Sequence, residues 1–300
     1  MDSDHNTLIY IADPADKYVF LREILTNHLK LSHSLQVKLK AHNKIKVNGQ
    51  ATLTNYKLRP GDIVTVDISL EEKNEIRPIP FPIDVVYEDP DCLVINKPPG
   101  IAVHSQRGGT DITLANAVTH YWAEQGRSIL FRPINRLDKE TSGLVLIGKS
   151  QYAHQAIFRQ QSAGAITRKY LAVVEGTMVP NIGSIDLPIT QPDPDLRPRT
   201  VDPSGRRALT YFTVLKRLRG FTLLSLTLGT GRTHQIRVHL SHIGHPICGD
   251  DLYGRPSPLI GRQALHAAQL SFIQPRTGRE LHLEAPVPSD IAKLLTELPD

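Results

Sequence analysis

The chain reads as an α+β protein, with a mainly antiparallel, mixed-sheet catalytic domain behind a small N-terminal α/β module. Three observations carry that expectation. Strand-like segments dominate after residue 84, with only a few helices among them. A stretch with three prolines, EEKNEIRPIPFPI at residues 71–83, interrupts any regular element. The residues before it carry a helix, a hairpin and a strand of their own. The module is therefore placed at 1–72, a linker at 73–83 and the catalytic domain at 84–300.

In the first module, VFLREILTNHL sets Phe20, Leu21, Ile24, Leu25 and Leu29 on one helical face. SLQVKLKAHNKIKVNG is basic and ends in Asn48-Gly49, a hairpin signal between IKV and ATLT. LRPGDIVTVDI adds a turn and a strand. After the linker, IDVVYEDPDCLVINKPPGIAV forms two short strands around Asp89-Pro90-Asp91 and stops at Pro-Pro-Gly. TLANAVTHYWAEQG is a helix that Gly126 ends. A strand at 144–148 and a helical QYAHQAIFRQQSAG follow. ITRKYLAVVEG, ALTYFTVLKRL and FTLLSLTLG are strands, and DLPITQPDPDLRPRTVDPSGR is a long irregular loop. THQIRVHLSHIG places Ile236, Leu240 and Ile243 at helical spacing, with Thr233 as cap and Gly244 as stop. The tail, LHAAQLSFIQPRTGRELHLEAPVP, alternates around Arg-Thr-Gly as a hairpin.

Composition narrows the classes of function. A net charge of +5, from 35 Lys and Arg against 30 Asp and Glu, suits a polyanionic partner without proving one. Two cysteines, Cys92 and Cys248, lack a paired spacing and read as reduced thiols, so neither a disulfide framework nor a metal site is expected. The start, MDSDHNTLIY, is acidic with no apolar core, and no run approaches the roughly eighteen apolar residues a membrane span needs. A cytoplasmic protein without membrane association is expected.

Three constellations carry chemistry. In INRLDKETSGLVL, Asp138 stands between Arg136 and Lys139, just before an apolar strand. An acid at such an edge needs a cation or several donors. An ordinary salt bridge and a catalytic carboxylate both remain open from this stretch alone. In GTGRTHQIRVHLSHIGHPICGD, a glycine-rich turn leads into a helix start flanked by Arg232 and Arg237. Such a start attracts anions, and Arg suits a forked grip on carboxylate or phosphate. The turn lacks the Lys-Ser/Thr ending of a nucleotide-binding loop. His234, His239, His242 and His245 follow one another closely, yet no carboxylate or cysteine completes a recognisable metal-ligand set. In TRKYLAVVEG, Tyr170 lies on a strand after Arg168 and Lys169. It is either packed in the core or a ring that stacks on a base, with the cations at phosphates.

Together, INRLDKETSGLVLIGKS, RKYLAVVEG and GTGRTHQIRVHLSHIGHPICGDDLYG resemble the three motifs of RluA-type RNA pseudouridine synthases, in that family's order. The resemblance covers roughly residues 82–287. Residues 16–70 are similar, more loosely, to the alpha-L RNA-binding module, with Ser34-Leu35 where a basic residue usually follows the serine. The resemblance implies that Asp138 is the essential aspartate, Tyr170 the active-site tyrosine and Arg237 the arginine paired with the aspartate. It gives Arg136 the role of holding the RNA once the target nucleotide is flipped out. Asn135 stands where most members have His; it is expected to replace a positioning hydrogen bond and not the reaction. Lys38, Lys40, Lys44 and Lys46, with Arg232 and His234, are the expected RNA contacts, and a solvated face is the alternative for the lysines.

The reaction so implied breaks a glycosidic bond, rotates the uracil and rejoins it through carbon, with no redox change and no cofactor. The expected substrate is RNA, 23S ribosomal RNA first and transfer RNA as the alternative, handled by a monomer. A non-catalytic RNA-binding protein with this fold is the rival from another class. A nucleotide-dependent enzyme built on residues 229–231 is a third reading.

Overall fold

A computed structural model describes residues 6–70, 72–105, 111–193 and 198–298. The expected boundaries at 1, 72 and 300 run into residues 1–5, 71 and 299–300, and the expected irregular loop includes 194–197; these lie outside the described residues, as do 106–110.

The N-terminal part is an antiparallel sheet of β1 (Thr7–Ile11), β2 (Ile45–Val47), β3 (Gln50–Ala51) and β4 (Ile63–Asp67), in the order β1-β4-β2-β3. Two helical segments cover it. The first, α1 (Leu21–Glu23), continues as a π-helical stretch, Ile24–His28. The second, α2 (His33–Ala41), begins at Ser32, whose hydroxyl accepts the Leu35 N–H. Leu21, Ile24, Leu25, Leu35, Leu39, Val64 and Val66 form the core here, and Tyr152 from the larger part joins it. The strand β1 escapes period-two reading because its outward residues, Ile9 and Ile11, are apolar too.

Residues 72–83 carry no regular element. The second sheet then holds β5 (Asp84–Glu88), β6 (Cys92–Lys97), β7 (Ser142–Gly148), β8 (Thr167–Glu175), β9 (Ile182–Asp186), β12 (Leu209–Leu218), β13 (Phe221–Leu228), β14 (Leu265–Ile273) and β15 (Glu280–Glu284). Its order is β5-β6-β7-β14-β8-β13-β12-β9, with β15 also on β14. Every ladder is antiparallel except β7 with β14. Both faces are covered, which is why Leu144-Val145-Leu146-Ile147 is apolar throughout. Val145 and Ile147 face the cluster with Trp122 of α3 (Leu114–Glu124), while Leu144 and Leu146 face Ile157 of α4 (Gln151–Ser162). The Gly126 stop holds: its φ is +70°.

Beyond β1 and β9, neither of them expected from the sequence, the structure departs in three further places. The proline-rich loop contains a short antiparallel pair, β10 (Ile189–Thr190) with β11 (Thr200–Val201), which packs on α5 (Gln235–His242) through Val201, Ile189 and Val238. The N-terminus of α5 is capped positionally by His234 in the left-handed region, not by Thr233. A C-terminal helix, α6 (Ser289–Glu297), was not expected; Ile291 and Leu294 anchor it in the main core, and Asp290 pairs with the buried Arg262.

The register sets the site. One row across the sheet runs Lys97, Gly143, Ala267, Tyr170, Leu226, Phe212. Gly143 has φ +113°, and a Cβ there would collide with the Ala267 backbone, so only glycine lets β7 close on β14. That closure brings the segment before β7 beside β8 and α5.

Candidate active site

Asp138 ends an extended segment that runs alongside β7. Ile134 N–H donates to Leu146 O, and Gly148 N–H donates to Arg132 O. Asn135 is buried and clamps this edge: its Nδ2 donates to Leu144 O at 3.0 Å, and its Oδ1 accepts Leu146 N–H at 2.8 Å. A turn then follows, with Thr141 N–H donating to Asp138 O. It is held from below by Lys97, whose ammonium is fully buried and donates to Pro98 O, Ile101 O and Lys139 O at 2.7, 2.9 and 3.0 Å. Burial brings the Lys97 pKa down to about 7. The turn therefore fixes where the Asp138 carboxylate emerges, with its side chain 25% exposed.

Arg237, in the first turn of α5, donates from Nη1 to Asp138 Oδ2 at 3.1 Å. Its other edge forms a fork with Asp250: Nε to Oδ2 and Nη2 to Oδ1, both 2.7 Å. Asp250 is completely buried and also accepts the backbone N–H groups of Leu252 and Tyr253. Burial works against the Arg237 charge, but Asp250 and then Asp138 outweigh it, so its pKa is raised. Gln235, one turn position away, is buried and ties the β13–α5 turn to β12: its Oε1 accepts Thr230 Oγ1–H and Arg232 N–H, and its Nε2 donates to Leu209 O and Thr210 Oγ1.

Asp138 and Arg237 face a cavity of about 270 Å³, with Tyr170, Arg168, Gln161, His234 and Leu265 among the lining residues. That volume lies near the lower end for small-molecule sites, on the order of 300 Å³ upward, and suits a single nucleoside. Tyr170 is 5% exposed, and burial raises its phenol pKa, so the ring is a neutral wall. Arg168 shares its strand face two residues away. Arg168 Nε and Gln161 Oε1 are buried without a hydrogen-bond partner among the described residues. A larger cavity, about 690 Å³, lies elsewhere, where Glu88 already pairs with both Lys149 and Arg127.

The other residues expected from sequence fall in two places. Arg136 and Arg232 are exposed at the cavity, and Arg232 Nε donates to Arg207 O. His234 also lines the cavity, half-buried rather than turned outward to solvent. Lys38, Lys40 and Lys46 are exposed on α2 and β2, away from it. Lys44 is turned aside by an ion pair with Asp67 and a bond to Ser69. Lys38 reaches the larger part, donating to Gln151 Oε1 at 3.2 Å. Of the other three histidines in that motif, His239 bonds Thr210 and Leu187 O, His245 bonds Glu175 O, and His242 is exposed. Sequence reasoning missed Asp250, Tyr253 and Gln161; only the GDDLYG turn within the third motif pointed toward the first two.

The pattern of the family described as RNA pseudouridylate synthase matches residues 91–242. The RNA pseudouridine synthase YlyB of Bacillus subtilis is 42% identical over 85% of this chain and 86% of its own. The ribosomal large subunit pseudouridine synthase D of Yersinia pestis is 38% identical over 85% of this chain and 83% of its own. Among solved structures, human RNA pseudouridylate synthase domain containing 1 is 26% identical with a TM-score of 0.56, over 72% of this chain and 86% of that one. Human RNA pseudouridylate synthase domain containing 4 shares the fold, with a TM-score of 0.60 over 72% of this chain and 95% of that one. No helix among the described residues is long and apolar enough to cross a membrane. The chain belongs to the RNA pseudouridine synthases, isomerases that act on RNA.

Proposed function

We propose that this enzyme converts uridine to pseudouridine in large-subunit ribosomal RNA, in the cytoplasm, with Asp138 as the reacting carboxylate. The observation that carries the site is the Asp138–Arg237 pair, 3.1 Å apart, at the wall of a nucleoside-sized cavity with Tyr170. The ribosomal reading rests on the relatives named as large-subunit enzymes, at 37–38% identity over most of both chains.

In the reaction, the C1′–N1 bond of the uridine breaks, the uracil turns, and a C1′–C5 bond forms. C5 loses its proton and N1 gains one, so atoms and charge balance without an oxidant or cofactor. Asp138 acts at the sugar, as nucleophile on C1′ or as base, and both roles fit one carboxylate. Arg237, held by Asp250, aims it. Tyr170 stacks on the uracil while it is detached. The target must leave its helix to enter, at a cost of a few kcal/mol that phosphate contacts offset. Arg136, Arg168 and Arg232 supply such contacts at the cavity. Residues 1–72 add RNA binding through Lys38, Lys40 and Lys46, read out as the salt dependence of binding.

The test is Asp138→Asn in the intact protein. Pseudouridine formation is expected to vanish, with RNA affinity held within a few-fold and carbodiimide-dependent reverse-transcription stops lost from ribosomal RNA. Residual turnover in this variant would refute the role of Asp138. Stops lost from transfer RNA alone would refute the ribosomal assignment.

A further inference from the structure

Arg237 holds only one oxygen of Asp138, and a partly exposed carboxylate gripped at one corner can still rotate. The second oxygen, Oδ1, faces His234 Nε2 at 3.8 Å. This is longer than a hydrogen bond, and contacts of this kind tighten when substrate is in place. We propose that His234 and Tyr253 form a positioning relay that fixes the Asp138 carboxylate through Oδ1. This rests on the reading of Asp138 as the reacting group.

The direction of the relay follows from counting hydrogens. Tyr253 Oη accepts the Arg199 backbone N–H at 2.7 Å and lies 2.8 Å from His234 Nδ1. The phenol keeps its single hydrogen, because burial raises its pKa. In the relay that hydrogen goes to Nδ1, which puts the one hydrogen of a neutral imidazole on Nε2, facing a carboxylate oxygen that can only accept. Burial lowers the His234 pKa, Asp138 and Asp250 oppose this, and Arg237 and Arg199 add to it; the ring stays neutral.

Backbone and packing place the ring. His234 has φ +57° and ψ +16°, the left-handed region that a β-carbon disfavours, and it starts α5 in that state. Its ring meets Tyr253 edge-on, with centroids 5.6 Å apart at 74°. The Tyr253 ring in turn lies 5.1 Å under the Arg237 guanidinium. The turn at Asp250 thus governs both oxygens of Asp138: its carboxylate clamps Arg237, and its Oδ1 accepts the N–H of Tyr253.

The test measures tritium release, as kcat and KM across pH, on total RNA from cells lacking this gene and grown with 5-tritiated uridine. Tyr253→Phe removes the donor to Nδ1, which makes the imidazole easier to protonate. The expected result is a kcat about tenfold lower, a KM within twofold, and an acid limb moved to higher pH. His234→Asn keeps a residue that tolerates positive φ and removes the titrating ring, so that limb should disappear. An unmoved limb in Tyr253→Phe, or the same limb in His234→Asn, overturns the relay. If Tyr253→Phe melts early, the His234→Asn profile alone decides. Asp138→Asn run alongside separates the two ideas: activity there removes the reading of Asp138, whereas an inactive Asp138→Asn with unmoved limbs removes only the relay.

Discussion

Taking away the Asp250 carboxylate would leave the Arg237 guanidinium buried with a single partner, the partly exposed Asp138. An uncompensated buried charge is costly, so Asp250→Ala is expected to lower unfolding stability by about 3 kcal/mol. Urea denaturation measures it, and a loss under about 1 kcal/mol would mean that water or a neighbour rescues the charge. Turnover should fall as well, because Arg237 and Tyr253 lose their common anchor. Asp138→Asn should be far milder on stability, since that carboxylate is 25% exposed. The two carboxylates therefore divide the work: Asp250 holds the frame, and Asp138 faces the cavity. Asn135 belongs with the frame. Its side chain makes two bonds to the backbone of β7.

The strand β14 is where elements decide function. Its first residues pair with β7 in parallel and its later ones with β15, while β8 runs along its other side. Asp138 and Tyr170, distant in sequence, line one cavity because Gly143, lacking a β-carbon, lets β7 close on the Ala267 backbone of β14. On the N-terminal part, α2 and β2 present Lys40 and Lys46 to solvent. If that face binds phosphates, Lys40→Glu with Lys46→Glu should flatten the dependence of log affinity on log salt by about two counterions. Filter binding across a potassium chloride series reports the slope, and an unchanged slope assigns these lysines to a merely solvated face. Substitution is preferable to truncation here. Deleting residues 1–75 would uncover Tyr152, which packs in the N-terminal core, and orphan the Arg276 bond to Thr7 O and the Arg132–Glu72 pair.

Taken together, the fold buries several histidines in neutral form. His239 and His266 are inaccessible, and His234 is half-buried; burial lowers the pKa of each. The unfolded chain takes up protons near pH 6.5, while the folded state refuses them until lower pH. Stability is thus present above about pH 6.5 and drains as pH falls toward the folded-state values, by up to about 1.4 kcal/mol per pH unit for each histidine. Thermal melting from pH 8 to 5 should show the midpoint dropping before carboxylates such as Glu88 and Asp290, whose pKa values are lowered, begin to protonate. A flat midpoint down to pH 5 would mean that these rings take up protons within the fold.

The residues themselves announced the α+β class and most strands and helices of the larger part, because patterning and turn residues are local properties; Asp138, Tyr170 and Arg237 came from the resemblance of three motifs, and the fold brings all three to one cavity. The pattern of α6 was also there to read, with Ile291, Leu294 and Leu295 at helical spacing. The strand β1 was not, since both its faces are apolar. Which carboxylate clamps Arg237, which ring meets Oδ1, and which of the four lysines is tied inward depended on contacts between segments up to a hundred residues apart. Such contacts are made by packing and register, and no local spacing encodes a distance across a sheet.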